Sequence, residues 1–302
     1  MRLVRFEDPE DPNLFRAGVL DGTEVIEVSD GHHVMSADPL WDLITSAPAG
    51  DITISDVAAR WPIASVHVRA PIARPPKIIA APVNYLDHKA EMQVEHTVAD
   101  LGIFLKAPTS VIGPGEDVLL PYTDKRFDQE AELGVIIGQR ARNIRVESAL
   151  DIVFGYTCVL DMSMRSTEDR STRKSFDTFT PMGPVILTKD EVEDPATLQL
   201  WCQVNGVERQ SARVADLIFD VPTLISYASS VMTLEPGDVI ATGTPAGVGP
   251  VVAGDVIEMG IDVVGSLKVS VSAADAVPYE ERVGSDLDAA HLRSRGEDPS
   301  EG

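Results

Sequence analysis

Apolar and polar positions alternate with a strand period through much of this chain. The first clear case is Phe15-Arg-Ala-Gly-Val-Leu-Asp-Gly-Thr-Glu-Val-Ile-Glu-Val, two strand-like runs about Asp21-Gly22 that predict a hairpin. Residues 39–46 read as a short helix. Pro71-Ile-Ala-Arg-Pro-Pro-Lys reads as a linker, because proline stiffens the backbone and gives a sheet no N–H donor. From Ile78 onward the pattern is β-dominated. Pro114-Gly-Glu-Asp-Val-Leu-Leu, Pro236-Gly-Asp-Val-Ile-Ala and Ala253-Gly-Asp-Val-Ile-Glu each place Gly and Asp in a turn before a β-branched run. Their uneven spacing makes them three separate turn-to-strand entries and not a repeat. Over residues 216–232, Leu217, Ile218, Val221, Leu224, Ile225 and Ala228 follow a helical period, with Pro222 in the first turn. After about Ala274 aliphatic residues thin out and acids accumulate, so that stretch cannot offset its ordering entropy. The expected organisation is a small β-rich unit at 1–70, a larger domain at 71–274 and an acidic, disordered tail at 275–302.

Charge narrows the function. The 302 residues hold 48 Asp and Glu against 25 Lys and Arg, a formal net charge of −23. No basic stripe reverses that field locally, which excludes nucleic acid as an expected partner. Apolar runs such as residues 134–138 and 248–253 fall far short of the roughly 20 residues of a membrane span. Met1-Arg-Leu-Val-Arg-Phe-Glu-Asp meets charge at once and lacks the apolar core of a secretory signal. The two cysteines, Cys158 and Cys202, have no CxxC neighbour, so two buried reduced thiols are expected rather than a thiolate metal site. The cytoplasm is the expected compartment.

The chemistry concentrates in Phe127-Asp-Gln-Glu-Ala-Glu-Leu-Gly-Val-Ile-Ile-Gly. Read as one strand, it puts Asp128, Glu130 and Glu132 on the same face as Gly134 and Ile136. Such acids can simply lie in water where a strand frays. A second strand-like run, Phe154-Gly-Tyr-Thr-Cys-Val-Leu, ends in Asp161 and supports another reading. Carboxylates that meet at neighbouring strand ends raise one another's pKa unless a cation joins them. Oxygen donors without His or Cys favour a hard ion: Mg²⁺ first, Mn²⁺ next and Ca²⁺ third, with zinc disfavoured.

In Ala81-Pro-Val-Asn-Tyr-Leu-Asp-His-Lys-Ala-Glu-Met, a helix beginning near Asn84 sets His88 and Glu91 side by side at i,i+3. A carboxylate that orients an imidazole builds a base able to activate water. The competing reading is a helix entry with Asn84 as cap and His88 merely exposed. Lys106, Arg165 and Lys174 are cations near the acid clusters, either structural counter-charges or contacts to an anionic substrate. Thr242-Gly-Thr-Pro-Ala-Gly-Val-Gly is neither a Walker loop nor a GxGxxG fingerprint. It is either a tight turn or a set of N–H groups, with the Thr244 hydroxyl, facing a carboxylate. Residues 89–102 have a weakly amphipathic pattern that suggests a lid over substrate.

In order along the chain, Asn84-Tyr-x-x-His88-x-x-Glu91, Phe104-Leu-Lys106, Glu130-x-Glu132-Leu, Gly155-Tyr, Asp161-x-Ser-x-Arg165, Lys174-Ser-Phe-Asp177, Pro181-x-Gly-Pro184 and Pro236-Gly-Asp-x-Ile with Thr242-Gly-Thr-Pro resemble the fumarylacetoacetate hydrolase superfamily. The resemblance spans about residues 78–272. It implies an α+β, β-dominated fold, a mixed β-sandwich roll with a small N-terminal β domain, and a homodimer. It also implies that Glu130, Glu132 and Asp161 bind the metal, and that His88 with Glu91 activates water beside Lys174. Tyr85, Lys106, Arg165 and Thr244 would face a small anionic oxo-acid.

The reaction implied is metal-dependent hydrolysis of a carbon–carbon bond in an acylpyruvate- or fumarylpyruvate-like β-diketo acid of aromatic catabolism. Isomerase, hydratase or decarboxylase action on related acids is the alternative, and a non-catalytic metal–ligand binder the remaining one. The chain departs from the family pattern at Pro82-Val83 and in Ser166-Thr-Glu-Asp-Arg-Ser-Thr-Arg, which is unusually charged and lacks the Gln and Trp often found there.

Overall fold

The continuous apolar run Leu133–Ile137 is explained by burial on both faces of one strand. In the computed structural model, which describes residues 1–28, 38–46, 52, 54–55, 57–93 and 95–285, the strand Ala131–Ile137 lies in the middle of a twelve-stranded sheet. Leu133, Val135 and Ile137 point into one core with Leu200, Ile257, Met259 and Leu267 of a five-stranded sheet. Ile136 points the other way, into a second core with Leu40, Leu43 and Ile44 of the helix Pro39–Ser46. A strand covered on both sides loses the polar alternation of a half-exposed one. The result is the expected β-dominated α+β architecture of mixed sheets.

The large sheet is mostly antiparallel. Ala131–Ile137 pairs with Val153–Leu160 on one side and Val239–Ala241 on the other, and Val239–Ala241 runs parallel to Ile78–Ala80. The N-terminal strands continue the same sheet: Arg2–Glu7 pairs antiparallel with Thr180–Thr188 through Leu3 and Ile186. The predicted hairpin is present as Phe15–Asp21 and Glu24–Glu27, with Asp21 opposite Glu24 and Gly22 at φ +58°. The three Gly-Asp turns lead into Asp117–Leu119, Val239–Ala241 and Val256–Ile261.

Two segments differ from the sequence reading. The helix expected from Asp216 starts at Val221, because Asp220 caps it through the Thr223 amide and Pro222 fits only its first turn. Leu217 and Ile218 lie before it, where Leu217 bridges to Tyr85. Of the acidic tail, residues 275–285 lie against the body: the Tyr279 ring packs edge-on to Tyr122, and Arg282 pairs with Glu168 at 2.6 Å. Residues 286–302 and the lid position Val94 are outside the described residues.

Cys158 and Cys202 are buried and unbridged, and burial pushes both thiols up to about 12, which leaves them unreactive. Among the described residues no helix is long and apolar enough to cross a membrane.

Candidate metal centre and catalytic cavity

Glu130 occupies a change of sheet. The residues before it, Phe127–Gln129, pair with Ser163–Met164 and Gly249–Val251 in a three-stranded sheet, while those after it enter the large sheet. The neighbouring chain crosses at the same level: Leu160 ends opposite Ala131, and the Asp161 amide donates to the Glu130 carbonyl at 2.8 Å. Two strand junctions thus put Glu130 and Asp161 together, with Glu132 joining them two residues on. Ligand oxygens of all three lie within 4.8 Å of one another, and all three side chains are buried.

Asp128 leaves the group. It is held by Arg126 at 2.8 Å and by Arg165 Nε at 2.6 Å, and so is a structural acid.

The acids differ in their compensation. Lys174 Nζ reaches Glu130 at 2.7 Å and Asp161 at 2.6 Å, and Arg165 Nη2 reaches Glu130 at 3.0 Å. Burial works to raise the Glu130 pKa, but Lys174 and Arg165 outweigh it and bring it to about 2. Glu132 makes no ion pair among the described residues, and its one partner is the Gly243 amide at 2.8 Å. Burial first, then the charge of Asp161, holds its pKa well above the carboxylate range. Glu132 is thus a buried carboxylate beside two others with only an amide as its own partner. The deficit of positive charge is local to that one acid, since Glu130 and Asp161 are already paired with cations. Hard oxygen donors, the short mutual spacing and this charge deficit together fit a divalent cation.

The acids form one wall of a cavity of about 200 Å³ that also includes His88, Arg165, Lys174 and Thr244, with Pro82, Val83, Met92 and Phe104 as its apolar part. His88 lies in the helix Leu86–Glu91, is buried, and has Nδ1 3.2 Å from Glu91 Oε2. A carboxylate only accepts, so Nδ1 is the donor and Nε2 carries the lone pair. Glu91 is itself fixed by the Gly247 amide at 2.9 Å.

Asn84 does not cap the helix; Tyr85 stands at that position. The Asn84 amide instead ties three segments, donating to the Phe219 and Thr242 carbonyls at 2.9 and 2.8 Å and accepting from the Phe219 amide at 2.7 Å. Asn84→Ala leaves those buried groups unpaired and is expected to destabilise the fold by about 3 kcal/mol in urea unfolding. A loss no larger than that of a surface substitution would contradict this role.

Other expected substrate contacts are placed differently. Lys106 is fully buried beneath the acids, bound to Asp161 and, at 2.8 Å, to the Phe179 carbonyl. It is a counter-charge, not part of the cavity wall. Tyr85 is also buried away from the wall, with no hydrogen-bond partner on its hydroxyl and its pKa raised by burial and then by Glu132. Thr244 does line the cavity, although its hydroxyl already donates to the Ala131 carbonyl at 2.9 Å.

The glycine-rich loop has a use the sequence did not reveal: its amides serve protein carboxylates, Gly243 for Glu132 and Gly247 for Glu91. Both glycines sit at positive φ, and a Cβ would meet Asn84 Cβ at 2.7 Å in one case and the Arg209 carbonyl at 1.8 Å in the other. Sequence reasoning also missed Arg170 and Arg173, which line the cavity from the short helix Arg170–Arg173.

Residues 77–272 match the family described as fumarylacetoacetate (FAA) hydrolase C-terminal. The chain is 39% identical over 290 residues to a maleylpyruvate hydrolase of Aquipseudomonas alcaligenes, covering 90% of this chain and 99% of that one. It is similar to the crystal structure of maleylpyruvate hydrolase from Sphingobium sp. SYK-6 in complex with manganese(II) and pyruvate, with a TM-score of 0.74, 39% identity, and coverage of 90% and 99%. A mitochondrial oxaloacetate tautomerase of Xenopus laevis is 40% identical over 209 residues, 65% of each chain. By the extent of these matches, and with the buried acid trio at its centre, the chain belongs to the fumarylacetoacetate hydrolase family of enzymes.

Proposed function

We propose that the protein is a divalent-metal-dependent hydrolase that cleaves a carbon–carbon bond in a small β-diketo or oxo acid of the acylpyruvate or fumarylpyruvate type. The observation that carries this reading is the His88–Glu91 pair in the same small cavity as Glu130, Glu132 and Asp161. A binding protein has no need of an oriented base beside its ligand.

In this reading Glu130, Glu132 and Asp161 hold the cation, with Mg²⁺ or Mn²⁺ fitting the donors best. When bound, it supplies Lewis acidity, polarising the substrate's oxo-carboxylate end and stabilising the negative charge that develops there. Glu91 keeps the His88 ring in the tautomer whose Nε2 is basic. Nε2 takes a proton from water as the water oxygen bonds to the distal carbonyl carbon. Collapse breaks the carbon–carbon bond, and its electron pair leaves as the enolate of the oxo acid. The proton held by His88 returns to that carbon, and the other fragment departs as a carboxylic acid. Arg165 and Lys174 keep Glu130 ionised and positioned. The apolar wall of Val83, Met92 and Phe104 keeps bulk water from the enolate. A cytoplasmic homodimer completes the proposal.

Tautomerisation or decarboxylation of a related acid is the second reading, favoured by the similarity to the Xenopus tautomerase. It uses the same enolate stabilisation and needs no attacking water.

Metal binding is expected to stabilise the fold. At a Mn²⁺ concentration about 100 times Kd the linkage contributes ~2.7 kcal/mol, which for a chain this long raises Tm by roughly 4 °C. Chelator should reverse the rise in scanning calorimetry, and a Tm indifferent to Mn²⁺ and Mg²⁺ would count against the site. Turnover itself is tested by assaying the metal-loaded protein on acetylpyruvate, fumarylpyruvate and oxaloacetate.

A further inference from the structure

We propose that Arg170 and Arg173 form a second anion subsite in the cavity, which takes a carboxylate on the substrate's far end and so selects dicarboxylic over monocarboxylic oxo acids. The inference rests on the reading above, in which the oxo-carboxylate end sits at Glu130, Glu132 and Asp161.

Four cationic side chains line the cavity. Two are committed to the protein: Arg165 to Asp128 and Glu130, and Lys174 to Glu130 and Asp161. The guanidinium groups of Arg170 and Arg173 have no ion pair or hydrogen bond to a protein acceptor among the described residues. This is notable in a chain with nearly twice as many acids as cations. The nearest acids in sequence are used elsewhere. Asp169 caps the short helix through the Ser171 amide at 2.8 Å, and Glu168 pairs with Arg282 at 2.6 Å.

The two arginines are three residues apart in the helix Arg170–Arg173, hence on one side of it, and both are half-buried. Like charges so placed repel, and partial burial adds a desolvation cost. Burial lowers the Arg173 pKa, Glu130 works against it, and Arg165 and Arg170 add to the lowering, so the net direction is down. An arrangement that costs stability in the free protein is repaid when an anion arrives. Guanidinium is the group best suited to a carboxylate, which it can grip with two parallel N–H donors.

The charge balance agrees. The cavity has three carboxylates against four cations, so a divalent ion leaves it with an excess of positive charge. A substrate with two carboxylates answers that excess better than one with a single carboxylate. Lys174 follows Arg173 directly and reaches Glu130 and Asp161, so the chain brings the arginine pair close to the acid trio, which suits a short dicarboxylic acid.

The test compares two ligands that differ only in the terminal carboxylate, 2-oxoglutarate and 2-oxopentanoate, by calorimetry on the Mn²⁺-loaded protein. The wild type is expected to bind 2-oxoglutarate about 10- to 100-fold tighter, the range for charge-assisted hydrogen bonds. The double variant Arg170→Gln/Arg173→Gln should bring the two to parity, with 2-oxopentanoate affinity changed by less than about threefold and Tm unchanged or higher. In turnover, the double variant should lower kcat/KM for fumarylpyruvate about tenfold or more relative to kcat/KM for acetylpyruvate, chiefly through KM.

Parity in the wild type, or equal loss of both ligands in the variant, overturns the subsite while the metal-end reading stands. Failure of the wild type to bind either ligand overturns that reading and the subsite with it.

Discussion

Glu132→Gln is expected to abolish metal binding while leaving the metal-free fold as stable as the wild type, or more so. Glutamine keeps the shape and can still accept from the Gly243 amide, the one partner Glu132 has. What it removes is a negative charge buried beside Asp161 and Glu130 without an ion pair of its own. Loss of an outer partner of a metal ligand already costs about 10- to 100-fold in affinity, so loss of a ligand should cost at least about 100-fold in Mn²⁺ binding.

The stability sign follows from the raised pKa. The folded chain holds a proton on Glu132 at pH values where the unfolded chain has released it. The metal-free fold therefore loses stability as pH rises from the ordinary carboxylate range through the raised pKa. Glu132→Gln removes that loss. Calorimetry of wild type and variant, each with chelator and with Mn²⁺, should show no metal-induced rise in the variant and no lower Tm without metal. A variant that unfolds earlier than wild type without metal would mean that the carboxylate contributes to stability, contrary to this account.

His88→Ala is expected to lower kcat for hydrolysis by about 10²–10⁴, the usual contribution of a positioned general base, with Mn²⁺ affinity unchanged. His88 is buried on the cavity wall, and its ring is fixed through Glu91 to the Gly247 amide. Glu91→Gln should cost less, because the amide can still approach Nδ1 but no longer stabilises the imidazolium that forms as water is deprotonated. This substitution separates the two readings of the reaction. Decarboxylation or tautomerisation that survives in His88→Ala, with hydrolysis absent from the wild type, would replace the hydrolase proposal.

Much of the site was legible because it is local. Glu130 and Glu132 share a strand register, Asp161 closes an apolar run, and His88 and Glu91 are one helical turn apart. Periodicity made them candidates, and the family resemblance, not the spacing, implied their roles. The expected ligand trio did not include Asp128, but the single-strand reading from Phe127 to Gly138 put that residue on the same face, and the structure turns it away. The chain changes sheets at Glu130, and Asp128 turns to Arg165, a partner 37 residues away that no local pattern reveals.

Lys106 was misplaced for a related reason. A cation after an apolar strand can face substrate or lie under an acid, and only the packing of Asp161 against it decides. The Gly243 and Gly247 amides were anticipated as anion donors, but not that the anions belong to the protein. The hairpin at Asp21-Gly22 was legible from its turn chemistry, and the short helix at Pro39–Ser46 lies where the sequence reading put it. The joining of the N-terminal strands to Thr180–Thr188 was not, because strand pairing over that separation leaves no trace in either segment.

The most direct test of the central claim is an anomalous-scattering map from crystals of the protein grown with Mn²⁺. The account predicts one peak with carboxylate oxygens of Glu130, Glu132 and Asp161 at roughly 2.0–2.6 Å, the range of hard-cation bonds, on the cavity side that His88 shares. No peak there, with Lys174 still bridging Glu130 and Asp161 and the manganese bound elsewhere or not at all, would contradict it.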